Sequence, residues 1–381
     1  IQIIQIMEKR LQMEPFDFQP SIHLLYGENR IDQLGELSKE VADPSRVLVV
    51  TDPGIASAGL LKRAMASLET AEITVFAFQQ VQPNPTTRDV KNGATFARQI
   101  GGIDLIVGLG GGSAMDCAKG INFLLSNGGK MEDYWGLGKA KRPMLPSIGI
   151  PTTAGTGSEA QSYALISQAE THIKMACGDK KARFRAVILD PTLMASVPRQ
   201  VAAATGIDAI AHAVESYVTT RGNPISRLLA KEGWQQLSRN FEAVLKDNPT
   251  SQVRGQMLLG AHLAGMAIEC SMLGAAHACA NPLTASYQIT HGVAVSLMLP
   301  YVVELNRQQV DDLYQHLSSD LVQEIRRFQT LANLPIQLRE VGVPESDLND
   351  LAVEASKQWT GTFNPVPVNR QILNQLYESA Y

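Results

Sequence analysis

From about residue 40 to 150 the chain alternates short, continuously apolar, β-branched runs with longer segments of helical texture. Arg46-Val-Leu-Val-Val-Thr51 reads as a compact strand closed by Asp52-Pro-Gly54. Glu72-Ile-Thr-Val-Phe-Ala77 reads as a second strand, followed by the turn-rich Gln82-Pro-Asn84-Pro-Thr86. A helix is expected over Thr87 to Ile100, a third strand at Leu105-Ile-Val-Gly108 and a fourth at Ser147-Ile-Gly-Ile150. Strands that are apolar on both faces and separated by helices predict a parallel sheet covered on both sides.

After Asp190-Pro191 and Val197-Pro198 the texture changes. Strand signals stop, and long Ala- and Leu-rich segments follow, at 225–245, 253–272, 313–332 and 345–357. Their apolar residues recur at spacings of three and four, as on one face of a helix. The expectation is an α/β domain over residues 1–196 and an all-helical domain over 197–381, with no internal repeat. A length of 381 residues suits two or three domains rather than one core.

Composition narrows the classes. Hydrophobic residues make up 45% and charged residues 18%, a globular balance. The formal charge is −4 and Lys and Arg are scattered, so nothing recruits nucleic acid or an anionic membrane. No apolar run reaches eighteen residues, the length that a membrane span needs. The N-terminal Ile1-Gln-Ile-Ile-Gln-Ile-Met7 is apolar but has neither a basic segment before it nor a small-residue cleavage site. Cys117, Cys177, Cys270 and Cys279 show no CxxC spacing, and unpaired thiols fit a reducing cytoplasm.

Two glycine-rich loops carry candidate binding chemistry. Gly108-Leu-Gly110-Gly111-Gly112-Ser113 follows a strand and opens a helix. Such a turn is either a plain tight connection or a phosphate cradle, with free N–H groups and a positive dipole end. The acidic residue that reads an adenosine ribose normally follows such glycines by about twenty positions. Here the candidate, Asp52, precedes them at the end of an earlier strand; it is either a ribose reader favouring NAD over NADP or a helix N-cap. Pro151-Thr152-Thr153-Ala-Gly155-Thr156-Gly157-Ser158-Glu159 offers hydroxyls and glycines to a pyrophosphate or ribose, and also fits a helix cap.

The candidate chemistry lies in the helical part. Asp208 and His212 stand four apart, on one face of a helix. His277 and His291 follow, fourteen positions apart, in the segment from Gly274 to Gly292. One carboxylate and three imidazoles suit a divalent transition metal. His262, in an apolar helix, reads as core or supporting packing. Glu215 either orients His212 or joins an ion pair, and Cys279 reads as packing.

The combination of Gly110-Gly-Gly-Ser113 with Asp116 and Lys119, Pro151-Thr-Thr-Ala-Gly155, Asp190-Pro191, Asp208-Ala-Ile-Ala-His212 and the two later histidines resembles the iron-containing (group III) alcohol dehydrogenases. The resemblance implies an N-terminal dinucleotide-binding domain, a C-terminal helical domain and catalysis between them. It implies that Asp208, His212, His277 and His291 hold the metal. Asp52, Asn84, Gly111, Gly112, Ser113, Thr152, Thr153, Thr156 and Lys174 would line the NAD site, although Lys174 alone reads as a surface lysine. The implied activity is hydride exchange between NAD(H) and a small primary alcohol, diol or aldehyde. The metal would be Fe²⁺, with Zn²⁺ as competitor by the general affinity order, and the protein a homo-oligomer, dimer or larger.

Two positions depart from the family pattern. Asn281 stands where many members have a histidine, and an amide cannot exchange a proton near neutral pH. Val366, in Asn364-Pro365-Val366, stands where members often have arginine. A zinc-using, glycerol-dehydrogenase-like polyol oxidoreductase and a non-catalytic nucleotide-binding relative are the alternatives. A dehydroquinate-synthase-like enzyme would need a Lys and Arg cluster near the metal, and these segments have none.

Overall fold

The computed structural model describes residues 16, 18, 19, 22–171 and 173–381; the apolar stretch Ile1–Met7 lies outside them. In the α/β half the strands are β1 (His23–Tyr26), β2 (Arg46–Val50), β3 (Thr74–Phe78), β4 (Leu105–Gly110), β5 (Gly136–Leu137), β6 (Ser147–Pro151), β7 (Tyr163–Ser167), β8 (Lys174–Gly178) and β9 (Ala186–Leu189). Between them run α1 (Leu34–Ala42), α2 (Pro53–Ser57), α3 (Leu60–Thr70), α4 (Thr87–Ile100) and α5 (Gly112–Asn127). Six strands form one parallel sheet in the order β1-β9-β6-β4-β2-β3. Leu48, Val50 and Ile106 bury one face of it against α4 and α5, and Val47, Val49 and Leu105 bury the other against α1 and α3.

The four expected strands are present to within two residues at each end. The sequence reading missed β1 and β9, which pair with each other at one edge. β1 has only four residues and is largely exposed, so it lacks the apolar run that marks a buried strand. It also missed a small second sheet, β5-β8-β7, in which β7 and β8 are antiparallel. The segment Lys174-Met-Ala-Cys-Gly178 is too short and small-sided to show a period.

After Leu189 the described residues form helices and turns. They are α6 (Arg199–Val218), α7 (Pro224–Val244), α8 (Ser251–Glu269), α9 (Ala275–Tyr287), α10 (His291–Tyr314), α11 (Leu321–Ala332), α12 (Leu348–Ser356) and α13 (Arg370–Ala380). The helix expected over 313–332 is two helices. Ser318-Ser319-Asp320 interrupts it, and the Asp320 side chain caps α11 by accepting from Gln323 N. α7 starts at Pro224 with Asn223 accepting from Ile225 N and Ser226 N, the N-cap and N1 chemistry its sequence carries. No described helix is long and apolar enough to cross a membrane.

The topology explains why distant loops meet. β3 lies on one side of β2 and β4 on the other, so the chain reverses direction across the sheet at β2. Ligands of open α/β sheets bind beyond the carboxyl ends of the strands at such a point. The register sets Val50 opposite Gly108 and Gly110 opposite Pro151. Asp52, the glycine loop and the loop after β6 therefore emerge side by side.

One helix of the helical half carries most of the contact between the halves described here. Along one face of α8, His262, Gly265 and Glu269 meet the loop after β6 and its surroundings. His262 Nδ1 lies 3.1 Å from Glu159 Oε1, both buried. Glu269 accepts from Ser162 N at 2.9 Å and pairs with Arg183 Nη2 at 2.7 Å. Between these contacts the backbones touch, since a Cβ on Gly265 would lie 2.7 Å from the Gly157 carbonyl oxygen. Gly265→Ala should therefore pry α8 from the loop and destabilise the protein by about 1–3 kcal/mol, as overpacking does. Chemical denaturation checks this, and unchanged stability would mean that the contact is soft.

Candidate metal centre

α6 presents Asp208 and His212 from successive turns of one face, both buried. His277 lies in the first turn of α9 and His291 opens α10. α10 comes close because Gly292 has no side chain: a Cβ there would sit 1.9 Å from the Ala204 carbonyl oxygen, one turn before Asp208. Three helices thus converge on one carboxylate oxygen. Asp208 Oδ1 lies 3.4 Å from His277 Nε2, 3.5 Å from His212 Nε2 and 3.8 Å from His291 Nε2. One donor atom each from Asp208, His277 and His291 fall within 4.8 Å of one another. His212 adjoins this triangle rather than completing it, with its ring stacked on that of His277 at 4.8 Å and 23°.

The donor set fits a divalent metal. Ligand bonds of about 2.1 Å set neighbouring donor atoms about 3–3.5 Å apart, close to the 3.4–3.8 Å that separates the three imidazole nitrogens from Asp208 Oδ1. Asp208 Oδ1 and His277 Nε2 are buried without a hydrogen-bond partner. Each such orphan costs about 1–3 kcal/mol in a protein interior, and a shared cation removes both costs.

The electrostatics follow from burial and proximity. Burial alone would raise the Asp208 carboxyl, but His212, His277 and His291 together hold it well below the usual carboxylate range. Burial, reinforced by Lys174, lowers His291 to about 3, which leaves its imidazole neutral. Burial also lowers His212. His277 goes the other way: against burial, Glu215 and Asp208 raise it to about 9. Of the two roles open to Glu215, orienting His212 or joining an ion pair, the structure shows the second: its Oε2 accepts from His277 Nδ1 at 2.5 Å.

Lys174, which reads as a surface residue, is half-buried at the start of β8. Burial lowers its pKa, with Asp116 and Asp208 acting in opposition.

The predicted NAD-site residues gather at the carboxyl edge of the sheet. Gly110 has φ +146°, and a Cβ there would lie 2.8 Å from Ala114 Cβ and 3.2 Å from Asp52 Oδ2. Asp52 caps α2 through Ile55 N at 3.0 Å with Oδ1. Asn84, in a left-handed turn at φ 52°, donates its backbone N–H to Ser113 Oγ at 3.1 Å. Thr152 N donates to the Gly110 carbonyl at 2.9 Å, and the Thr153 and Thr156 side chains pack against Gly111 and Gly112.

Sequence reading missed what joins these loops. Lys119, fully buried, donates to Ser158 O at 2.7 Å and Ser158 Oγ at 2.8 Å, while Ser158 Oγ donates to Asp116 Oδ1 at 2.5 Å. Asp116 and Lys119 were visible as motif members, but only their helical spacing hinted that both face the second loop. Asn281 Nδ2 donates to Gln358 Oε1 at 3.0 Å, a pairing with no sequence signal. Cys279 is fully buried.

Residues 21–191 match the family model described as iron-containing alcohol dehydrogenase, and residues 202–381 match the model of the C-terminal part of the Fe-containing alcohol dehydrogenase family. This chain belongs to the iron-containing alcohol dehydrogenase family. As an NAD-dependent alcohol dehydrogenase it works with NAD(H) and a divalent metal, typically Fe²⁺. It is 33% identical to alcohol dehydrogenase 4 of Saccharomyces cerevisiae over 93% of this chain and 96% of that protein. It is 31% identical to 1,3-propanediol dehydrogenase of Klebsiella pneumoniae, with the same coverages. A solved 1,3-propanediol oxidoreductase superposes with a TM-score of 0.92 at 30% identity, covering 97% of this chain and all of that one.

The Gly292 contact gives a direct test of how the dehydrogenase assembles its cluster. Gly292→Ala should push α10 away from α6, carrying His291 out of the triangle, and destabilise the fold by at least about 1–3 kcal/mol. Thermal denaturation and metal content of the purified variant check this together, and wild-type values in both would refute it.

Proposed function

We propose that Asp208, His212, His277 and His291 hold the metal of this dehydrogenase and that the nicotinamide faces them from the loops of the α/β half. The single observation that carries the reading is the convergence of three imidazoles on Asp208 Oδ1, at 3.4, 3.5 and 3.8 Å. The metal, when bound, supplies Lewis acidity toward a substrate oxygen, and the cofactor supplies a hydride acceptor or donor.

The chain's own residues do the rest. The neutral His291 imidazole and the Asp208 carboxylate keep lone pairs available at neutral pH. Gly111, Gly112 and Ser113 let the backbone at the start of α5 approach a pyrophosphate. Thr152, Thr153 and Thr156 add hydroxyls on the opposite wall. Asp52 keeps Oδ2 beside Gly110, placed to accept from ribose hydroxyls and to repel a 2′-phosphate. Asn84 fixes the turn above Ser113, and Lys174 closes the nicotinamide side. Asn281, bonded to Gln358, cannot relay a proton, so proton release runs through water or ribose hydroxyls.

The substrate in this reading is a small primary alcohol or diol, or the matching aldehyde. The division into an α/β unit and a helical unit falls near residue 197. The enzyme works as a homo-oligomer in a reducing cytoplasm. Four free cysteines and the exposed edge of β1, with Leu24 and Tyr26 outward, support this.

Two experiments test the assignment. His277→Ala should abolish bound metal and turnover while NADH binding persists, measured by metal analysis, NADH formation at 340 nm and cofactor fluorescence; full activity in metal-stripped protein would end the reading. Asp52→Gly should erode the preference for NAD over NADP, read as the ratio of kcat/KM for the two cofactors. A ratio that does not move removes Asp52 from the ribose site.

A further inference from the structure

The turn of α9 that carries His277 is held from outside the cleft. Its N-cap is Gly274, which has no side chain with which to cap. The first free N–H groups are taken instead by two buried side chains from elsewhere in the chain. Asn364 Oδ1 accepts from Ala275 N at 3.2 Å, and Glu215 Oε1 accepts from Ala276 N at 2.7 Å. A Cβ on Gly274 would stand 2.9 Å from both of these oxygens, so the glycine is what admits them. The second Glu215 oxygen accepts from His277 Nδ1.

Asn364 is fixed in turn. Its Nδ2 donates to Asn306 Oδ1 at 2.7 Å and to the Val366 carbonyl at 2.8 Å, and Asn306 Nδ2 donates back to Asn364 Oδ1 at 3.1 Å. The same C-terminal segment grips α9 twice more, through Gln358 on Asn281 and through Tyr377 Oη donating to the Cys279 carbonyl at 2.7 Å. A carboxylate can only accept, so His277 Nδ1 carries a proton and Nε2, on the Asp208 side, is the nitrogen free to ligate.

We propose that Glu215 and Asn364 are positioning residues for the metal: together they cap the first turn of α9 and hold His277 with Nδ1 protonated and Nε2 turned toward Asp208. This rests on the assignment of His277 as a ligand. Glutamine at 215 offers one acceptor oxygen to two donors. Where its oxygen stays on Ala276 N, its NH₂ donates to His277 Nδ1 and drives the ring proton to Nε2, blocking ligation.

The test uses the full chain, stripped and reloaded with Zn²⁺. Zn²⁺ affinity is measured by chelator competition for wild type, E215Q, N364A and H277A, with NADH binding as the control for folding. Histidine ¹⁵N spectra report the His277 tautomer. E215Q should weaken Zn²⁺ binding by about 10–100-fold, the range for lost outer-shell partners, and remove the Nδ1–H signal. N364A should weaken it by about fivefold, the size of one lost helix cap, without changing the tautomer. If E215Q and N364A match wild type while H277A loses Zn²⁺, the positioning role falls and the ligand assignment stands. If H277A also keeps wild-type affinity, both fall. The Zn²⁺-loaded wild-type spectrum decides even where a variant does not fold: an unprotonated Nδ1 on His277 overturns the proposal.

Discussion

Everything near the cleft is arranged around one buried carboxylate oxygen that three imidazoles approach at once. A lone buried charge is among the costliest features a fold can hold. Here the cost is spread over three helices from separate parts of the chain, each of which must be placed to within a fraction of an ångström. Two close glycine contacts beside the cluster, Gly292 on the Ala204 backbone and Gly274 on the Glu215 and Asn364 side chains, are the means of that placement. They exchange side-chain volume for precision where the clustered side chains leave their helices.

The carboxyl edge of the sheet solves a different problem by the same economy of volume. Parallel strands deliver Asp52, the Gly110–Gly112 turn and the threonine loop to one edge, and register alone sets their spacing. The buried Lys119, bonded to Ser158 and close to Asp116, then fastens the second loop to α5. A lysine in such a place must lose its hydration shell. Three oxygen acceptors, two from Ser158 and one from the Tyr163 carbonyl, replace that shell.

Much of this was legible in the sequence, for reasons that differ by element. β2, β3, β4 and β6 are continuous apolar runs, and a run of that kind in this setting has few other uses. The helices of the second half show their periodicity, except at Ser318-Ser319-Asp320, where a cap hides inside a long apolar pattern. β1, β5, β7 and β8 were not legible, because short strands with mixed exposure carry no period. The residues Asp208, His212, His277 and His291 could be named from spacing and family pattern, and the structure brings them together. Which of them Glu215 serves could not be named: that depends on where the first turn of α9 comes to lie against Glu215, and a contact over 62 positions leaves no mark on local sequence.

The seam along α8 has a consequence for how such chains diverge. Glu159 with His262, Gly157 with Gly265, and Arg183 with Glu269 each draw one member from either side of the seam. A hybrid that grafted a relative's helical part onto this α/β part would keep each pair only where the relative supplies a matching residue, and would strand a partner wherever it does not. Stranding one buried carboxylate in that way costs about 3–5 kcal/mol, a large share of the stability of an ordinary domain. Recombination between family members therefore works best where both partners of each pair travel together, which makes these six positions a compatibility code between the two parts of the molecule.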